Sequence, residues 1–322
     1  ESDAAVIRLR GQNEKNQNNS FSGVAASVDC NSRWVSLDPL RGSIAAVAES
    51  ARNVSCVGAE PLAITNNLNF SSPETEIGYW QLSSSCDGIR EACLALETPV
   101  TGGNVSLYNE SKNKNNKITP INPTPVIGMV GKIDDVTNAV SSGWKNINDE
   151  IWLLGSHSSE STLAASSYLE YIHGEITGRP PKLDLGDEKY CQKILRNAIL
   201  KNFVLSSHDI SDGGLAIALA ECCILSSKGA TIELEGDGNR LDHLLYSEGG
   251  SRIIFSVDKT KKLNWLNNLK EIQIQSPKTF YVKKIGFVSS ESLKINVQNT
   301  QYCNIKVEDL IQKYNNSISS HF

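Results

Sequence analysis

No apolar run in this sequence approaches the roughly 20 residues that a membrane helix needs. The longest, Leu215 to Leu225, is interrupted by Glu221, and no signal peptide is visible, so neither a membrane partner nor export is expected. Basic clusters interleaved with aromatics are missing as well. With a net charge of −5 and a pI near 5.7, the chain lacks the electrostatic footprint of a nucleic-acid binder. The eight cysteines include no Cys-x-x-Cys pair and sit mostly among apolar residues. They read as buried thiols in a reducing, cytoplasmic setting rather than as a disulfide framework. Methionine is nearly absent too: Met129 stands alone and the chain opens at Glu1, so the sequence reads as a piece of a longer polypeptide.

What is present is enough apolar material, 39% of 322 residues, for two ordinary cores. Ala4 to Leu9 leads into a polar stretch, Gly11 to Asn19, so residues 1–22 read as a loop or disordered segment. Strands are expected over Gly23 to Val28 and Arg33 to Leu37. A helix is expected over Gly42 to Val57, where Ile44, Val47, Ala48, Ala51 and Val54 recur at helical spacing and Gly58 ends it. A strand over Pro61 to Asn69, a helix over Thr75 to Leu96, and strands over Val100 to Tyr108 and Pro125 to Ile133 follow, the last two joined by a polar hairpin loop, 111–117. These elements describe an α+β layer domain over 23–140. Beyond a small, polar boundary near 141–147, strands and helices alternate over 148–290, an α/β pattern. The elements read there are a strand over Ile151 to Leu154, helices over Leu163 to Ile172, Asp187 to Lys201 and Gly213 to Ser226, and strands over Val204 to Ser207, Thr231 to Leu234, Ile253 to Val257 and Tyr281 to Val288. Residues 291–322 read as a tail with a short closing helix over Val307 to Tyr314.

Two strand-to-loop junctions carry the chemistry. In Thr101-Gly102-Gly103-Asn104-Val105-Ser106, glycines permit close backbone approach to a ligand, and Asn104 and Ser106 alternate on a strand so that both face one side. In Ser207-His208-Asp209-Ile210-Ser211-Asp212-Gly213-Gly214, two carboxylates lie between an apolar strand and an apolar helix. Strand ends and helix starts are where anions and their metals dock, which favours Asp209 as a ligand. Glu49 and Asn53, four residues apart on the first helix, can present oxygens to one cation. Each feature also has an ordinary reading. The glycines can make a bulge, the Glu49–Asn53 pair can be a solvated face, Asp212 reads best as a helix N-cap, and His208 as a packed histidine. An acidic chain with such junctions can still bind phosphorylated small molecules through Mg²⁺.

The order of five segments is more specific than any one of them. Ser27 to Arg33, Ala46 to Val54, Pro61 to Phe70, Gly102 to Glu110 and His208 to Leu215 together resemble the PurL family of phosphoribosylformylglycinamidine synthases. The resemblance runs from about Gly23 to Val288. It implies an N-terminal α+β domain and a C-terminal α/β sandwich domain like those of aminoimidazole ribonucleotide (AIR) synthetase. The family is built of two tandem repeats, and this chain resembles the second, C-terminal one. The family's catalytic histidines lie in the first repeat and no segment here matches them.

Residue by residue, the resemblance makes Gly103 a nucleotide-binding position, Asn104 a Mg²⁺ ligand and Ser106 a contact of formylglycinamide ribonucleotide. Asn66 stands where many relatives carry an ATP-binding Asp, keeping the acceptor oxygen without the charge. Asn67 replaces a common Cys. An auxiliary nucleotide site of the longer relatives matches Asp29, Glu49, Asn53 and Asp209 as metal ligands, with Ser211 near the nucleotide. Implied with them are the cofactors ATP and Mg²⁺ and an ATP-dependent, C–N bond-forming ligase of purine synthesis. The implied partners are the N-terminal PurL repeat, a glutaminase subunit and a small PurS-type subunit. On its own the piece is expected to be inactive. Two alternatives remain: a non-catalytic, nucleotide-binding structural half, and another ATP-dependent synthetase or kinase of the same superfamily.

Overall fold

The computed structural model describes residues 1–9, 21–112, 114–155, 161–236, 238, 240–275 and 281–319. Its first half contains β1 (Ala5–Arg8), β2 (Gly23–Asp29), α1 (Ser32–Leu37), α2 (Pro39–Cys56), β3 (Glu60–Asn69), α3 (Glu76–Leu96) and β4 (Val100–Ser106). A small hairpin of β5 (Glu110–Lys112) and β6 (Ile118–Pro120) precedes β7 (Thr124–Ile133). The five main strands form one sheet in the order β1-β2-β7-β3-β4, antiparallel except for the parallel pair β3/β4. Helices α2 and α3 cover one face. The apolar stripe of α2 (Ile44, Val47, Ala48, Ala51, Val54) packs with Ile89, Ile127 and Met129 into the first core. Asp38 caps α2 by accepting from the Arg41 N–H at 3.0 Å, with Pro39 in the first turn, and Gly58 at φ +89° lets the chain leave the helix.

The second half contains β8 (Glu150–Gly155), α4 (Ser167–His173), α5 (Leu185–Leu200), β9 (Val204–Asp209), α6 (Gly214–Ser226), β10 (Gly229–Leu234), α7 (Leu241–Tyr246) and β11 (Arg252–Val257). There follow α8 (Lys262–Gln275), β12 (Tyr281–Ser289), β13 (Ser292–Val297), β14 (Thr300–Lys306) and α9 (Val307–Asn316). Seven strands form one sheet in the order β14-β13-β10-β12-β8-β11-β9. Alternate residues of β11 serve opposite cores: Ile254 joins the α6 side, whereas Ile253, Phe255 and Val257 join Trp152 and Trp265 on the α5/α8 side. A strand buried on both faces reads as a continuous apolar run, which is why β11 shows no alternation in sequence. Among the described residues, no helix is long and apolar enough to cross a membrane.

Four expectations change. The strand expected over Arg33 to Leu37 is helix α1, because the Asn31 side chain caps the Trp34 N–H at 3.1 Å and five residues carry too little periodicity to separate the two forms. The segment 1–22 is not all loop, since Ala5–Arg8 pairs antiparallel with Gly23–Ala26 as an edge strand. The polar stretch 11–19 lies outside the described residues. The tail from 291 supplies β13 and β14, with Leu293, Ile295 and Val297 buried in the α6-side core. Helices α7 and α8 also went unread, although α8 delivers the fully buried Trp265.

Helix α2 joins the halves. Arg52 bonds Glu188 of α5 at 2.8 Å, Arg196 donates to Ser55 Oγ at 2.8 Å, and Ser207 Oγ donates to the Cys56 carbonyl. A second seam ties the α1 region to residues 161–181: Trp34 Nε1 donates to the Ala165 carbonyl at 3.1 Å, and Arg33 pairs with Glu170 at 2.6 Å.

Candidate functional site

The sequence-expected residues fall into two groups. Asp29 ends β2, Glu49 and Asn53 lie one turn apart on α2, and Asp209 ends β9, so three elements deliver oxygens to the seam between the halves. Asn53 Nδ2 donates to Asp29 Oδ2 at 2.9 Å. Asp209 is 4% exposed, and its Oδ2, like Asn53 Oδ1, is buried without a hydrogen bond. Burial first, and the Asp209 charge second, push the Asp29 carboxyl up to about 7. Burial together with the charges of Asp29 and Asp209 holds Glu49 well above the carboxylate range. Asp209 rises to about 6, through burial and then the charge of Asp3, against Arg52 and His208. Burial and like charge together raise crowded carboxylates in this way. Ser211 lies in the adjoining cleft with Glu49, Arg52, Asp212 and Glu248.

Arg52 was not singled out in the sequence, where it reads as part of a polar helical face. It is 5% exposed, its Nε stands 3.6 Å from Asp209 Oδ2, and its Nη1 pairs with Glu188. Although burial works to lower it, Glu188, Asp209 and Glu49 hold its guanidinium firmly charged. Asp212 does not cap the following helix. Gly213, at φ +78°, takes the cap position of α6 without a side-chain bond, and its N–H donates to Glu248 Oε1 at 2.7 Å. The Asp212 carboxylate instead reaches Arg33 at 3.0 Å, because an arginine from α1 competes for it across the seam.

The second group lies on β3 and β4, apart from the first. In the parallel register Asn66 faces Gly103, Asn67 faces Asn104 and Asn69 faces Ser106. A Cβ on Gly103 would come within 1.9 Å of Asn66 Oδ1 and 2.4 Å of its carbonyl, whereas one on Gly102 would meet nothing within 4 Å. Gly103 is thus required by close strand approach, while the register irregularity falls between Ile64 and Thr65, opposite the Val100 to Gly102 step. Asn104 is exposed and donates to Asn67 Oδ1 at 3.2 Å. Ser106 is half-buried, and Asn109, whose amide bonds the Ser106 carbonyl at 2.9 Å, also lies 3.1–3.3 Å from its hydroxyl.

Two models of one family match the chain: the AIR synthase related protein N-terminal domain over residues 1–133 and the corresponding C-terminal domain over 146–274. The chain belongs to the AIR synthase related family. A phosphoribosylformylglycinamidine synthase subunit PurL from Prochlorococcus marinus (strain MIT 9312) is 78% identical over 322 residues, all of this chain and 41% of the relative. The chain therefore spans about two fifths of the length of the curated PurL relatives it matches. Among solved structures, T. maritima PurL complexed with ADP superposes with a TM-score of 0.72 at 17% identity, covering 97% of this chain and 46% of the other. T. maritima PurL complexed with FGAR gives the same TM-score and identity, over 92% and 48%. At that identity these two structures establish the shared AIR-synthase-like fold.

Proposed function

We propose that this chain is the C-terminal repeat of a cytoplasmic phosphoribosylformylglycinamidine synthase. It would serve the ATP- and Mg²⁺-dependent amidation of formylglycinamide ribonucleotide with ammonia released from glutamine. The observation that carries this reading is the exposed sheet face bearing Asn67 and Asn104, with Ser106 at its edge. It is a row of oxygen donors on a surface left open to a second body. The N-terminal repeat is the body proposed to cover it, and a glutaminase and a PurS-type subunit complete the assembly. The high identity to PurL subunits along the whole chain supports the same conclusion.

In this reading Asn66 and Gly103 contact nucleotide, Asn104 holds Mg²⁺ and Ser106 contacts the ribonucleotide. Asp29, Glu49, Asn53 and Asp209 hold a second Mg²⁺ at an auxiliary nucleotide site, with Ser211 beside it. The residues present fit that ion, because the set is all oxygen and two of its buried atoms, Asp209 Oδ2 and Asn53 Oδ1, lack a partner. Bound there, Mg²⁺ neutralises phosphate charge. The chain's own contribution is positional. Gly103 keeps β4 close against Asn66, Asn109 lies against the Ser106 hydroxyl, and Arg52 ties α2 to Asp209 at the end of β9 and to Glu188 of α5. In the overall reaction the formamide oxygen takes the γ-phosphoryl group of ATP, and ammonia then displaces phosphate at that carbon.

Complementation tests the proposal. The 322-residue chain alone is expected to show negligible turnover of formylglycinamide ribonucleotide, and activity is expected to return when the N-terminal half is added. Asn104→Ala and Ser106→Ala are expected to lower the restored kcat/KM by at least about tenfold, the scale of one lost polar contact in a transition state. Full activity from both variants would reduce the segment to a scaffold.

A further inference from the structure

A cavity of about 260 Å³ beside α6 is lined by Asp3, His208 and Glu221, which the amidation reading leaves unused, and by Asn53 and Asp209, which it assigns to Mg²⁺. Asp3, just before β1, points its carboxylate at the end of β9. Its Oδ1 lies 2.7 Å from His208 Nδ1 and its Oδ2 accepts from the Asp209 N–H at 2.9 Å. The other imidazole nitrogen, Nε2, stands 3.1 Å from Glu221 Oε2 of α6, and Asp209 Oδ1 is 3.9 Å from Nδ1. One ligand atom each from Asp3, His208 and Asp209 lies within 4.8 Å of the others. Metal–ligand bonds of about 2.0–2.2 Å place ligand atoms roughly 3–3.5 Å apart, so side-chain adjustments of about an ångström close the set around an ion.

An ion pair between His208 and Asp3 would account for part of this arrangement and leave the rest. Asp209 is 4% exposed, yet its Oδ2 accepts no hydrogen bond, and the nearest cation, Arg52 Nε, is 3.6 Å away. Asn53, whose Oδ1 is also unpartnered, lines the same cavity. Glu221 meanwhile occupies the position of the carboxylate that orients a metal-bound histidine through its second nitrogen. Its side chain is 42% exposed, which leaves the cavity an entrance.

We propose that Asp3, His208 and Asp209 form a site for a first-row transition-metal dication such as Mn²⁺ or Zn²⁺, with Glu221 orienting the imidazole. One nitrogen with two carboxylates suits these ions better than Mg²⁺, which prefers oxygen alone. An entering dication displaces the Nδ1 proton to solvent and takes Asp3 and Asp209 as anionic ligands. The site adjoins the carboxylate set assigned to Mg²⁺ and shares Asp209 with it, but does not depend on nucleotide binding.

Co²⁺ is the probe, because its visible absorption reports nitrogen and oxygen coordination directly. Titrating the chelator-stripped 322-residue chain is expected to give a saturable visible band at micromolar Co²⁺, competed away by Zn²⁺. His208→Gln is expected to abolish the band. Glu221→Gln, at a partly exposed position that leaves the fold intact, is expected to weaken Co²⁺ binding about 10–100-fold. Glu49→Gln, outside this ligand set, is expected to keep the band, which separates failure of this site from failure of the Mg²⁺ reading. Absence of a band up to millimolar Co²⁺, or an affinity unchanged by Glu221→Gln, would overturn the proposal.

Discussion

Arg52 sets the electrostatics of the seam, since it is the buried cation among Glu188, Asp209 and Glu49. Arg52→Met would leave Glu188 and Asp209 buried without their counter-charge, and urea unfolding is expected to show a loss of about 3–5 kcal/mol. A loss under about 1 kcal/mol would mean that the carboxylates are balanced otherwise. Asp29 gives a pH signature. Its folded carboxyl titrates at about 7, against about 3.9 for an unfolded aspartate. Between those values the native state binds a proton that the unfolded chain lacks, so stability falls as pH rises from about 4 to about 7. In melts without divalent ions, Asp29→Asn is expected to raise the midpoint at pH 8 and to leave it little changed at pH 4; an unaltered pH slope would contradict the shift. Oxygen type and spacing made Glu49, Asn53 and Asp209 candidates in the sequence, and Asp29 joined them only through the family resemblance. It passed over Asp3 and Arg52 because neither belongs to a local pattern, and their roles come from partners across the fold.

At the level of elements, the pairing of β3 with β4 depends on one missing side chain. Gly103→Ala would drive a methyl group into Asn66 and is expected to cost about 1–3 kcal/mol of stability, like other forced overpacking. Gly102→Ala, with open space at its Cβ, is expected to stay within about 0.5 kcal/mol. Equal effects in chemical denaturation would show that strand contact is not what selects the glycine. Helices α2, α3, α5 and α6 were legible because several turns of apolar spacing, or an apolar run broken only by Glu221, outweigh local noise. Helix α1 was not, since its six residues take their form from the Asn31 cap and from burial of Trp34 and Val35. Strand β13 alternates in burial as a half-exposed strand should, yet it follows directly on β12 in the chain while pairing with β10 and β14 rather than with β12.

For the molecule as a whole, the first sheet has helices on one face and an open surface on the other. Ala26 and Val28 of β2 stand beside Val130 and Gly128 of β7 on that open face, with Val28 71% and Val130 42% exposed. Contiguous apolar surface of this kind marks an association site. Sedimentation equilibrium of the 322-residue chain mixed with the N-terminal half is expected to show a complex at micromolar concentration, and Val28→Asp with Val130→Lys is expected to abolish it; a complex of unchanged affinity would refute the assignment of this face. The sequence by itself determined the two-domain α+β plan, the length and facing of the main helices, and which oxygen-bearing residues stand at strand ends, because these follow from spacing within a dozen residues. Only the tertiary structure decided that Asp3 meets His208, that Arg52 is buried among carboxylates and that Asp212 turns to Arg33. Those partners lie more than a hundred residues apart in sequence, and only chain closure brings their charges within a few ångströms.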